Sequence, residues 1–395
     1  MTSQGTNKGS ELTSLAPDAL RRRVEESLVR QGFAITADGR LETVDLGKDA
    51  VRALHREAVH ARVEKARAGL ARHEARLLGY LADGHEVKPT AIRPSLREVL
   101  ADSEEELLFR YARLHWSIPV SAGYGRRVRF VVFDEANGKL IGLIGLGDPV
   151  FALGPRDRWI GWDRAARKER LRNVMDAFVV GAVPPYSKLL GGKLIAMLMT
   201  SSEVVETFSR KYATGATLIR GRKSDGRLAL ITTSSALGRS SIYNRLSLDG
   251  QKLFISGGFT LGSGEFHLSN GVYNDLMAFA RQLGEPTAKD ERWGTGWRSR
   301  REVVRRVLPQ LGLSRELVYH GVRREVFLVP LASNAREFLC GEETELRGSR
   351  PAAAELFEYF RSRWLLPRAQ RDQSFRAFCA SSYRLWPQVE DRRDL

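Results

Sequence analysis

Apolar positions recur along this chain in two rhythms. After Pro17, the residues Leu20, Val24 and Leu28 fall on one stripe, which predicts a helix ending near Gly32. From Lys48 the same period carries Val51, Leu54, Ala58, Ala61, Ala66, Leu70, Leu77 and Leu81, a long helical pattern towards Gly84. Its other faces hold Arg52, Arg56, Arg62, Lys65, Arg67, Arg72 and Arg76, the pattern of a solvated cationic face. An extended linker, VKPTAIRPSL, and a helix over Glu105–Leu114 follow. Then the rhythm changes. Val128–Phe133 and Leu140–Gly145 are nearly all apolar and flank Asn137-Gly138, which predicts a hairpin in a sheet covered on both faces.

Further on, a basic helix (Asp163–Arg172) precedes a strand over Val174–Val183 that stops at Pro184-Pro185. The turn Tyr186–Lys193 leads into a helix through Met199, then strands at Leu228–Thr233 and Lys252–Ser256, with SSIYNRL between them. Gly257–Gly264 reads as a glycine-rich turn, Val272–Leu283 as an amphipathic helix, and Pro286–Gly296 as a linker. Beyond it come a basic helix (Arg298–Leu311), a shorter helix opening at Ser314, a strand (Glu325–Pro330) and two helical patterns. Helix, helix and strand at that spacing suit a winged helix-turn-helix or a cap on the sheet. The expected division is a disordered tail (1–16), a helical N-terminal region (17–114), an α/β core (115–285) and a basic α+β region (286–395).

Composition narrows the class. Of 395 residues, 43% are hydrophobic and 28% charged, ordinary for a soluble globular protein. The polar opening MTSQGTNKGS has no apolar signal core, and the longest apolar run, Leu194–Met199, is too short for a bilayer. Cys340 and Cys379 make no disulfide framework, so a reducing cytoplasm and no membrane partner are expected. The formal charge of +16 attracts polyanions and makes DNA or RNA an expected partner. Much of that charge is arginine, which also suits an ordinary Arg-rich surface.

The candidate chemistry lies in three peptides. Tyr186–Lys193 joins a strand end to a helix start through a glycine- and lysine-rich loop, an arrangement that offers backbone N–H groups to an anion. A Walker A reading fails, since Leu194 stands where Ser or Thr is needed. Gly238, Arg239, Ser240 and Ser241 open a second helical turn, with Asn244 and Arg245 beside it, a further cradle for phosphate. In RDRWIGW, Asp157 can pair with Arg156 or cap the next turn. Trp159 and Trp162 flank Gly161 and supply buried area, which reads as a structural knot. The seven histidines show no metal-ligand spacing, so no metal is expected, and no G-x-S-x-G surrounds the serines.

The order of hairpin, basic turn, helix, strand, tyrosine-bearing segment and strand resembles the acyl-CoA N-acyltransferase (GNAT) fold. That resemblance implies an α/β protein with a mixed, mostly antiparallel sheet flanked by helices, here with a helical N-terminal and an α+β C-terminal extension. It implies a CoA pyrophosphate held at Lys188, Gly191, Gly192 and Lys193, although Lys193 replaces the Gly or Ala usual at the last position. It also implies acetyl-CoA or another acyl-CoA as a possible cofactor and Tyr243 as a general acid on the departing thiolate. Glu203, Glu206 and Glu265 are available as bases, but the sequence puts none beside an amine.

Longer peptides carry a narrower likeness. RDRWIGW (Arg156–Trp162), VMDAFVVGAVPPYSKLLGGKL (Val174–Leu194) and TTSSALGRSSIYNRL (Thr232–Leu246), with WSIPVSAGYGRRVRF and LGDPVFAL, resemble the DruA family over residues 85–345. The resemblance implies a part in the Druantia anti-phage defence system beside a large helicase-like partner. Relatives also occur near mobile elements. Three functions stay open: nucleic-acid engagement through the basic surface, N-acyl transfer, and a catalytically inactive scaffold.

Overall fold

The Asn137-Gly138 turn, with Gly138 at φ 70°, closes the hairpin that organises the main sheet. In this computed structural model, which describes residues 15–43, 45–120, 125–214, 225–287 and 297–386, the sheet has seven strands. These are β1 (Pro94–Glu98), β2 (Arg127–Asp134), β3 (Lys139–Gly147), β4 (Val174–Ala182), β5 (Leu230–Ser234), β6 (Ile255–Phe259) and β7 (Glu325–Pro330). Their spatial order is β6-β7-β5-β4-β3-β2-β1, and every neighbouring pair is antiparallel except β4 and β5. Most of the expected tail (residues 1–14), residues 121–124 of the WSIPVSAGYGRR peptide and residues 288–296 of the expected linker lie outside the described residues.

Both faces of the sheet are covered, as the apolar runs of β2 and β3 predict. On one face Phe130, Ile144, Met175, Ile231 and Phe327 pack against the helices Gly191–Leu198, Ser202–Tyr212 and Ala353–Phe360. The other face divides in two. Val131, Phe133, Leu143 and Val179 meet the Glu104–Ala112 helix, while Val174, Leu230 and Leu328 meet Ile160, Trp162 and Phe338.

Three elements differ from their sequence reading. The last three residues of the expected linker VKPTAIRPSL begin the edge strand β1, with Pro94 at its first position, where a missing N–H is tolerated. Gly257 and Gly258 continue β6 instead of ending it, and a bulge between Ser256 and Gly258 absorbs the irregularity. Glu325–Pro330 is not a wing but an interior strand between β5 and β6.

Contacts gather the chain into two units, each built from two stretches: Met1–Ala61 with Leu261–Arg323, and Arg62–Thr260 with Arg324–Leu395. The second holds the sheet. The first is helical, with Pro17–Gln31, Val272–Gln282 and Trp297–Gln310 around Leu20, Val24, Leu28, Val303 and Val307. Gly32, at φ 95°, ends the Pro17–Gln31 helix. No helix among the described residues is long and apolar enough to cross a membrane.

Candidate ligand site where two parallel strands part

The site begins with a break in pairing. β4 and β5 run side by side from Val174↔Leu230 to Ala177↔Thr233, and there their register ends. β4 continues to Ala182, still paired to β3 through Gly142↔Ala182. Among the described residues the β5-facing edge of β4 therefore has no strand partner beyond Ala177, which leaves main-chain polar groups for something else to satisfy.

At the far end of β4 the chain turns through Tyr186–Leu189 into the helix Gly191–Leu198. Leu190 sits between them at φ 62°, a left-handed conformation that costs a non-glycine residue energy. A Cβ on Gly191 would lie 2.7 Å from the Tyr186 carbonyl oxygen and 2.9 Å from Ala182 Cβ, so only glycine fits. The Tyr186 hydroxyl fixes the turn to the β2–β3 hairpin: it donates to Asp134 Oδ2 at 3.0 Å and accepts from Asn137 Nδ2 at 2.9 Å. The first-turn amides of the helix, at Gly191 and Gly192, have no intrahelical acceptor.

Cations crowd this helix start. Lys193 Nζ lies 4.6 Å over the Trp364 ring, and Arg363 stands 5.3 Å from the same ring. Partial burial, then the charges of Arg245 and Arg363, hold the Lys193 ammonium below the usual lysine range. Among the described residues no ion pair involves Lys193, Arg245 or Arg363. Arg363 and Trp364 belong to a π-helical turn, Arg361–Leu365, a distortion frequent at functional sites. Sequence reading missed both residues, since nothing in RSRWLL signals an extra residue in the turn. Lys188 is not part of this cluster; it is exposed, and its ammonium donates to the Ser374 carbonyl at 3.0 Å.

The second cradle reaches the first but is already occupied. A Cβ on Gly192 would meet Ile242 Cδ1 at 3.3 Å, so the Gly238–Arg245 segment lies against the helix start. Its donors serve the protein's own carboxylate: Glu325, which is buried, accepts from Ser240 N at 3.3 Å, Asn244 Nδ2 at 3.0 Å and Ser256 Oγ at 2.8 Å. Arg239 and Ser241 are exposed. Tyr243 stacks on Phe254 at 4.7 Å and meets Phe327 edge-on at 5.1 Å. Burial pushes its phenol up to about 12, opposed by the Thr233 hydroxyl, so it stays protonated at neutral pH.

On the opposite face of the sheet lies the RDRWIGW helix. Arg156 is fully buried; it donates to Asp157 Oδ1 at 2.9 and 2.7 Å and to the carbonyls of Val150 and Phe151, each at 3.0 Å. Arg167 donates to Asp157 Oδ2 at 2.6 Å. Gly161, at φ 88°, caps the helix, Trp159 packs on its core, and Trp162 Nε1 donates to the Leu339 carbonyl at 2.6 Å. On this face Asp176 of β4 accepts from the Thr232 hydroxyl at 2.7 Å. A lone carboxylate inside the apolar strand VMDAFVV was a visible signal that the sequence reading passed over. Among the described residues no group of three His, Cys, Asp or Glu side chains gathers as metal ligands.

Fold and site define a mixed α/β protein with helices on both faces of a mostly antiparallel sheet and a cationic helix start where its parallel strands part. The family model described as "Druantia protein DruA" matches residues 45–341. The chain is also 41% identical over 362 residues to a Druantia protein DruA of Escherichia coli (strain UMEA 4076-1), covering 91% of this chain and 90% of that one. The chain therefore belongs to the DruA family, whose proteins are components of the Druantia anti-phage defence system. No solved structure matches it.

Proposed function

We propose that this DruA chain has a GNAT-like core that binds an acyl-CoA and transfers its acyl group to an amine in the course of defence. The observation that carries the reading is the parting of β4 and β5 beyond Ala177↔Thr233, with the Gly191–Leu198 helix starting at the end of β4. A pantetheine-like chain can satisfy the unpaired edge of β4, while the Gly191 and Gly192 amides, with Lys193, Arg245 and Arg363, face its phosphates. Tyr243, kept protonated, supplies a hydrogen-bond donor for the leaving sulfur. Calorimetric titration of acetyl-CoA and CoA into the full chain tests the reading. Saturable binding that weakens at least tenfold in Lys193→Ala/Arg363→Ala supports it; no heat at millimolar ligand removes it.

One observation favours a second reading. Lys193, Arg245 and Arg363 form no ion pair among the described residues, and such a cluster also suits a nucleic-acid backbone. Gel shifts with single-stranded DNA and RNA across a salt series separate the two, because nucleic-acid binding at those residues lowers the salt slope by about 2 in the triple alanine variant. Other proteins of the defence system, such as a large helicase-like subunit, are the expected partners in either case.

A further inference from the structure

We infer that Asp176 is the proton acceptor for the attacking amine, working across the sheet from Tyr243. The inference rests on the acyl-transfer reading above and deepens it.

The argument starts from the strand. Val174 and Asp176 point to one face of β4 and Met175 and Ala177 to the other, because side chains alternate. Asp176 thus stands inside the sheet next to the last rung before β4 and β5 part, opposite Thr232. A carboxylate at such a position is costly unless it is paired or used. It is not paired: Oδ1 takes the Thr232 hydroxyl, and among the described residues Asp176 has no ion pair. The guanidinium on its face, Arg156, is already bound to Asp157, Val150 and Phe151. One carboxylate oxygen is therefore oriented, and the other accepts no hydrogen bond among the described residues.

The neighbouring rung supplies the complement. Thr233, opposite Ala177, lies beside Tyr243 on the other face. Burial raises the carboxyl of Asp176 above the ordinary range, opposed by the Thr232 hydroxyl and the Arg156 charge, and burial raises the phenol of Tyr243 as well, so Tyr243 retains its proton. The parting strands thus have a base on one face and an acid on the other, one residue apart along each strand. In the step itself, the nitrogen lone pair of a primary amine attacks the acyl carbonyl carbon and forms the C–N bond. The C–S bond breaks and leaves its electron pair on sulfur. Asp176 takes the proton lost by nitrogen, and the Tyr243 hydroxyl gives one to sulfur, leaving an amide and a free thiol. Solvent then returns the proton from Asp176 to Tyr243.

The test measures acetyl-CoA binding by calorimetry and thiol release from pH 5.5 to 9, with spermidine, lysine-bearing peptide and water as acceptors. It uses the full chain, Asp176→Asn and Thr232→Val. Asp176→Asn is expected to bind acetyl-CoA within about twofold of the parent yet release thiol about a hundredfold more slowly and lose the acid limb of the pH profile. Thr232→Val keeps the carboxylate but removes the hydrogen bond to its charged form, so its acid limb moves to higher pH. Parent binding with Asp176→Asn releasing thiol within threefold, or with Thr232→Val leaving the acid limb in place, overturns the role of Asp176 alone. A parent that binds acetyl-CoA but releases no thiol overturns it too. A parent that binds no acetyl-CoA takes down the acyl-CoA reading and this inference with it.

Discussion

Two turns meet at Gly192 and Ile242, and they treat charge in opposite ways. The Gly238–Arg245 segment aims its donors at Glu325, an anion that the protein provides for itself. The Gly191 turn gathers Lys193, Arg245 and Arg363 with no carboxylate paired to them among the described residues. In sequence the two look alike, each a glycine beside hydroxyls or cations at the start of a helical turn. What separates them is a residue more than 80 positions along the chain from Ser240 and Asn244. A motif shows that donors exist; only the fold shows whether they are already engaged.

The largest effect should come from emptying the filled turn. Glu325→Leu leaves the Ser240 amide, Asn244 and the Ser256 hydroxyl without their acceptor, and the expected loss is about 3 kcal/mol, read by urea denaturation. A loss under about 1 kcal/mol would mean that the segment is held by other contacts.

The helical unit shows a third treatment of a polar group, burial among rings. His267 lies against Phe33, Phe266 and His320, and burial first, then the charges of His320 and His55, hold its imidazole down to about 3. The unfolded chain takes the proton near 6.5, so this share of stability is complete above that pH and declines as pH falls from there towards 3. The expected slope is about 1.4 kcal/mol per pH unit, and His267→Phe should flatten it. A slope that survives the substitution would assign it elsewhere, for instance to His115, which is half-buried and stacked on Tyr383.

The smallest effect is the sharpest contrast with Glu325. Lys193→Ala removes a cation whose neighbours repel it, so stability should stay within about 0.5 kcal/mol of the parent while anion binding falls. Destabilisation beyond that would make Lys193 a structural residue of the Trp364 contact.

How much of this was legible depended on range. The hairpin, β4 and the turn after it followed from local pattern, because Asn137-Gly138 and the apolar runs specify their own conformation. β1 was hidden by Pro94 at its start and Pro89 just before it, and β6 by its glycines, residues that weaken a strand signal without forbidding an edge position. The interior place of β7 was out of reach, since pairing between residues 325–330 and 230–234 leaves no mark in either peptide. The same holds for the site. Gly191, Gly192 and Lys193 could be named from their spacing, but Arg363 and Trp364 arrive from a helix far downstream. Asp176 needed only the question of why an apolar strand keeps one carboxylate.

The most direct test of the central claim is hydrogen exchange of the full chain with and without saturating acetyl-CoA. The account predicts new protection in peptides covering Val179–Lys193, with smaller gains at Ser240–Arg245 and Arg361–Leu365. Unchanged exchange in Val179–Lys193 under ligand concentrations that saturate any binding detected would contradict it.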